Sequence, residues 1–227
     1  MSKRVQNRFA LTVLPVFVFL LAACGTVGQL NKTKKHWQEQ DYQWIAGQEI
    51  SCKSSEEGCN QLHLLRGDAC FRLAKQDVDP LAHYQCSAKH LDLGIQQTSD
   101  WQLKDLDLNR AQTYENLCES LRQWQDLERG QRARQVTGLL LQTAEEFLAA
   151  EPGNLAAIYF LSSARYTMLQ PELLDPSDPQ TLCRQLKGIL EAVEVNEPRA
   201  QGTRYGANYN RLRMDVRGAQ QAVPGCN

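Results

Sequence analysis

Residues 148–168 read LAAEPGNLAAIYFLSSARYTM. Glu151-Pro152-Gly153-Asn154 is a turn, because proline and glycine side by side break regular structure. Before it, Val136, Leu140, Ala144 and Phe147 recur at spacings of four and three. That period marks one face of a helix over about Gln135–Ala150. After it, Ile158, Leu161, Ala164 and Met168 mark a second helix over about Leu155–Leu169. Two apolar stripes joined by so short a turn predict an antiparallel helical hairpin.

The same pattern recurs on both sides. Leu62, Leu65, Ala69 and Leu73 stripe a helix over about Asn60–Gln76. Asp79-Pro80 is expected to start the next one, with Leu81, Tyr84, Ala88 and Leu91 inside and Gly94 as its C-cap. Residues 60–94 are thus another hairpin. A helix over about Trp101–Leu127 carries Ala111, Tyr114, Cys118, Leu121 and Trp124. Gln170–Pro179 holds three prolines and reads as a loop. Asp178-Pro179 starts a helix with Leu182, Leu186, Ile189, Leu190 and Val193 inside, and Glu197-Pro198 is expected to end it. A last helix, about Gly202–Gly218, carries Tyr205, Tyr209, Leu212 and Val216. Near the N-terminus, Trp37, Trp44 and Ile45 predict a helix over about His36–Glu49. No segment alternates at period two for long, and Val, Ile and Thr are sparse. The chain is read as all-α, built of antiparallel helix pairs.

The first 23 residues are of another kind. Lys3, Arg4 and Arg8 precede a nearly unbroken apolar run, Phe9–Leu21, and then Leu21-Ala22-Ala23-Cys24. This is the layout of a secretory signal, with an apolar core shorter than the roughly 20 residues that span a bilayer. Leu-Ala-Ala-Cys resembles the lipobox of bacterial lipoproteins. The resemblance implies that Cys24 is lipidated and becomes the mature N-terminus, with several acyl chains giving stable anchoring. The absence of Asp at Gly25 favours the outer membrane, facing the periplasm. An ordinary signal peptide cut nearby is the alternative. Residues 24–36 read as a short polar tether, and 37–227 as the helical domain.

Removing the leader takes away three of the 25 Lys and Arg, and the formal charge goes from −1 to −4. Such a balance argues against nucleic acid as a partner. Seven cysteines follow Cys24, and an exported chain can keep disulfides. An odd number leaves one thiol over, and counting alone selects no pairing. Geometry weighs three: Cys52 with Cys59 around a tight polar loop, Cys70 with Cys86 across the 60–94 hairpin, and Cys183 with Cys226, tying back the C-terminal tail. Cys118 sits in an apolar stripe and is picked as the free, buried thiol.

The 148–168 stretch resembles a boundary between tetratricopeptide repeats, with Ile158, Leu161, Ser162, Ala164 and Tyr166 at or near the positions of the repeat's first-helix motif. Leu190–Pro198 resembles the end of a second helix, and Leu65–Cys70 the Leu-Gly-x-Ala-Tyr core. The resemblance spans about residues 60–200 and implies a short α-solenoid that binds other proteins in a concave groove. It implies that Tyr159, Ser163 and Tyr166 face that groove, although tyrosines there also serve as packing between repeats.

His83, Cys86 and His90 fall on one helical face, at spacings of three and four, and would suit zinc. A Cys70–Cys86 disulfide competes with that reading, so no metal is assigned. Catalytic and cofactor fingerprints are missing, so neither an active site nor a cofactor is expected. The expected function is a lipid-anchored scaffold or assembly factor for an envelope complex, for example a secretion or pilus machine. Its partners are the membrane, through Cys24, and one or more envelope proteins. The alternative is a cell-wall-acting enzyme or a regulator of one.

Overall fold

The computed structural model describes the backbone of residues 13–174 and 178–226, and side chains from residue 25 onward, Glu172 and Leu174 excepted. Residues 1–12 of the expected signal peptide lie outside the described residues, as do the side chains of its remainder and of Cys24.

All regular structure among the described residues is helical: α1 (Val13–Gln38), α2 (Tyr42–Gly47), α3 (Cys59–Ala74), α4 (Leu81–Ile95), α5 (Asp100–Lys104), α6 (Arg110–Leu127), α7 (Gly130–Ala150), α8 (Leu155–Leu174), α9 (Pro179–Ala200) and α10 (Gly206–Ala222). The long helices pair in order, α3 on α4, α6 on α7, α8 on α9, and α10 closes the row. Each second helix also packs on the first helix of the next pair, and the first helices α3, α6, α8 and α10 touch their successors. This is an all-α stack of antiparallel hairpins in two layers, a helical repeat-like arrangement.

The turn at 151–154 forms as the sequence predicts. Gly153 takes φ +79°, and the Asn154 side chain accepts from the amides of Ala156 and Ala157 to start α8. Phe147 and Phe160 lie fully buried on either side. The buried face of α8 includes Ala157 and Phe160 beside Ala164, while Met168 is exposed. The four-residue stripe missed this because α8 is covered from several sides, by α7, α9 and α10.

The α3–α4 hairpin is the tightest seam. Leu64, Leu65, Leu91 and Ile95 are fully buried. A Cβ at Gly67 would stand 2.7 Å from the Leu91 amide nitrogen, and one at Gly94 would stand 2.9 Å from the Leu64 nitrogen. Each glycine lets the partner backbone approach. Gly94 is therefore a packing residue inside α4, not its C-cap.

Several boundaries differ from expectation. Residues 25–36 are no tether: they continue α1, and Thr26, Leu30 and Thr33 are buried. Their spacing of four and three is a buried stripe disguised by two threonines, and Thr33 satisfies its hydroxyl on the Gln29 carbonyl at 2.8 Å. The expected 36–49 helix breaks at Gln40, φ +58°, before Asp41 caps α2. The 101–127 helix likewise breaks at Asp107, φ +55°, before Asn109 caps α6. Pro171 and Pro198 sit inside the last turns of α8 and α9, so neither marks the end of its helix.

Three disulfides join Cys52 to Cys59, Cys70 to Cys86 and Cys183 to Cys226. Cys118 is free and fully buried, and burial pushes its thiol pKa far up, which keeps it an inert thiol.

Candidate functional site

A groove of about 620 Å³ opens between the start of α2, the C-terminal half of α3, the turn before α6 and the start of α10. It continues into a smaller hollow of about 190 Å³ beside α10. Because α3 and α6 are first helices of adjacent pairs, the groove lies on the layer that the first helices form.

Its lining is held in place from behind. Asp68 is buried at 3% exposure, with one carboxylate oxygen accepting from Asn116 Nδ2 at 2.8 Å and the other from Arg72 Nε at 2.6 Å. Arg72 also lies 5.0 Å from the ring centres of Trp37 and Tyr42. Burial works against its charge, but the Asp68 carboxylate outweighs this and holds the guanidinium above its ordinary range. Across the groove, Glu115 pairs with Arg204 and accepts from the Tyr205 hydroxyl. Burial pushes the Tyr205 phenol well up. Farther along α6, Glu119 accepts from Arg122 Nη2 and Nε, at 2.8 and 3.0 Å, and Arg122 Nη1 donates to Asp126 at 3.0 Å. Lys75 is exposed, its ammonium 4.2 Å from the Phe71 ring centre. The result is a pre-shaped polar wall on an aromatic base, with buried charges paired.

The residues expected to face a groove are used inside the fold. Tyr159 packs 5.6 Å from the Tyr205 ring and 6.0 Å from Tyr209, with Ser163 beside its hydroxyl, and burial raises its pKa. Tyr166 donates to the Asp215 carbonyl at 3.2 Å. These contacts fasten α8 to α10, which is the packing reading. Arg204 and Arg213 are likewise paired within the chain, with Glu115 and Glu197.

The His83, Cys86 and His90 set does not converge. Cys86 is tied to Cys70, His83 pairs with Asp77 at 3.2 Å, and His90 turns inward to His63, with 2.7 Å between their Nδ1 atoms. Sequence reasoning passed over a different set. Cys52, Cys59 and His63 bring their potential ligand atoms within 4.8 Å of one another. Cys59 and His63 are one helical turn apart, a spacing visible in the sequence.

No helix among the described residues is long and apolar enough to cross a membrane. Comparison with protein-family models and with curated proteins found no match for this chain.

Proposed function

We propose that the protein is a lipid-anchored scaffold of the outer membrane that faces the periplasm and holds a segment of an envelope protein in the α3–α6–α10 groove. The observation that carries this reading is the pre-organised lining. Arg72 is fixed by Asp68, Trp37 and Tyr42 before any partner arrives, so little side-chain freedom is lost on binding. Polar groups along the wall offer hydrogen bonds to a peptide, and the half-buried Tyr42 offers a flat apolar contact. The lipobox-like Leu21–Cys24 supports the anchor. Thr26 is buried two residues after Cys24, which supports a reading in which the domain follows its anchor without slack.

The test pairs two substitutions on exposed groove residues, Lys75→Glu and Asn208→Trp. The double variant keeps its circular dichroism spectrum and loses the envelope partner that the wild type retains through purification. Retention of the partner at wild-type yield would sink the groove assignment. Separately, Cys24→Ser moves the protein from the membrane fraction to the soluble periplasmic fraction; a variant that stays in the membrane would remove the lipid anchor.

A further inference from the structure

We propose that the chain carries a redox-gated metal site: once the Cys52–Cys59 disulfide is reduced, Cys52, Cys59 and His63 bind one zinc-class divalent ion.

The ligands are already gathered. Their donor atoms lie within 4.8 Å of one another, and no other such group of three occurs among the described residues. Tetrahedral zinc, with ligands at about 2.0–2.3 Å, places donors roughly 3.3–3.8 Å apart. The two sulfurs need only separate from bonding distance to reach that spacing. The connection between them permits it, since residues 51–53 have no regular structure and 54–58 form turns. Cys59 and His63 stand one turn apart on α3, so Cys52, on the loop, is the ligand with the most freedom to adjust.

The second contact of His63 can play the orienting part that an outer hydrogen bond plays for a metal-bound histidine. Its Nδ1 lies 2.7 Å from His90 Nδ1, and the rings stack with centres 4.9 Å apart. The tautomer in which His63 donates Nδ1–H to His90 leaves the Nε2 lone pair for the ion and locks the ring. Three protein ligands leave a fourth position for water.

The chemistry balances with a dithiol reductant. Its two thiols supply two electrons and two protons, the Cys52–Cys59 bond breaks to two thiols, and the reductant closes its own disulfide. The metal then displaces both cysteine protons to solvent. Oxidation by a disulfide reverses the sequence and ejects the ion. The loop involved also bonds α1, through Thr26 to Glu56 at 2.7 Å and Gln29 to the Glu49 carbonyl at 2.9 Å. The switch therefore touches the helix that leads back to Cys24.

The experiment uses the full chain, reduced under anaerobic conditions, freed of reductant and titrated with cobalt(II). The proposal expects one cobalt per chain, with the visible bands of a tetrahedral thiolate site, displaced by zinc and absent from the oxidised protein. Cys52→Ser and His63→Ala each abolish the bands, while Cys183→Ser leaves them. A second readout needs no variant: zinc shields Cys52 and Cys59 of the reduced wild type from alkylation, mapped by peptide mass. Absence of cobalt bands, bands that survive either Cys52→Ser or His63→Ala, or zinc protection centred on Cys70 and Cys86 overturns the proposal.

Discussion

Replacing Gly67 with alanine tests the central seam of the fold, because two opposed effects act on one methyl group. In a helix interior, alanine is favoured over glycine by about 0.5–1 kcal/mol. At Gly67 that methyl would lie 2.7 Å from the Leu91 amide nitrogen and 2.8 Å from its Cγ and Cδ2. A backbone atom moves only if the whole of α4 moves. Separation would open the seam lined by Leu64, Leu65, Leu91 and Ile95. The Cys70–Cys86 bridge, one turn along α3, resists the shift. Overpacking of this kind costs about 1–3 kcal/mol, and the clash with backbone puts it at the upper end. The net loss is about 2 kcal/mol, or roughly 4–8 °C in Tm for a chain of this size. Gly138 in α7 and Gly188 in α9 serve as controls, since a Cβ there meets nothing within 4 Å. Alanine at either should stabilise by about 0.5–1 kcal/mol. Urea unfolding of the three variants is the assay. Gly67→Ala unfolding at or above the midpoint of Gly188→Ala would refute the close approach.

Asp68→Ala strands the Asn116 amide and one side of Arg72, so it should destabilise by about 1–3 kcal/mol in chemical denaturation. Removing the last disulfide with Cys183→Ser and Cys226→Ser frees a loop of sequence separation 43; the chain-entropy relation puts the loss at up to about 4 kcal/mol, and hydrogen exchange should quicken first in α10. The oxidised protein should also lose stability on acidification through His90. Burial, with Arg66, His63 and Lys89 adding to it, pushes its folded pKa down to about 3. The unfolded chain, with an ordinary value near 6.5, therefore takes up the proton first. The contribution is whole above pH ~6.5 and declines as pH falls toward about 3, amounting to about 1–2 kcal/mol lost by pH ~5. His90→Gln should flatten that part of the stability profile, as followed by thermal melts from neutral to mildly acidic pH.

Much of the fold was legible because the hairpins obey local rules. The 3–4 spacing in Leu62, Leu65, Ala69 and Leu73 and the Glu151–Asn154 turn need no distant partner to be understood. The disulfides followed from the same geometry, since a hairpin over 60–94 sets Cys70 opposite Cys86. The α1 stripe stayed hidden because Thr26 and Thr33 look polar until their hydroxyls find partners, Thr26 on the distant Glu56 carboxylate and Thr33 on the Gln29 carbonyl of its own helix. The site was much less legible. Tyr42, Asp68, Asn116 and Arg204 come from four separate elements, and only the stacking of pairs brings them to one groove. For Tyr159 and Tyr166 the groove and packing readings stayed open in the sequence, because the apolar face of α10 was visible but not the helix it would meet. Spacing sets His90 on one helical face with His83 and Cys86, yet the α3–α4 contact turns it inward to His63.

The central claim, that the α3–α6–α10 groove holds a partner, is tested most directly inside the native host. A photo-crosslinking residue is placed at Lys75 or Asn208 in the groove, or at Gln142 or Lys187 on the exposed faces of α7 and α9. The account predicts one discrete adduct from both groove positions and none from the outer pair. Adducts from the outer positions alone, or no adduct in the groove, would contradict it.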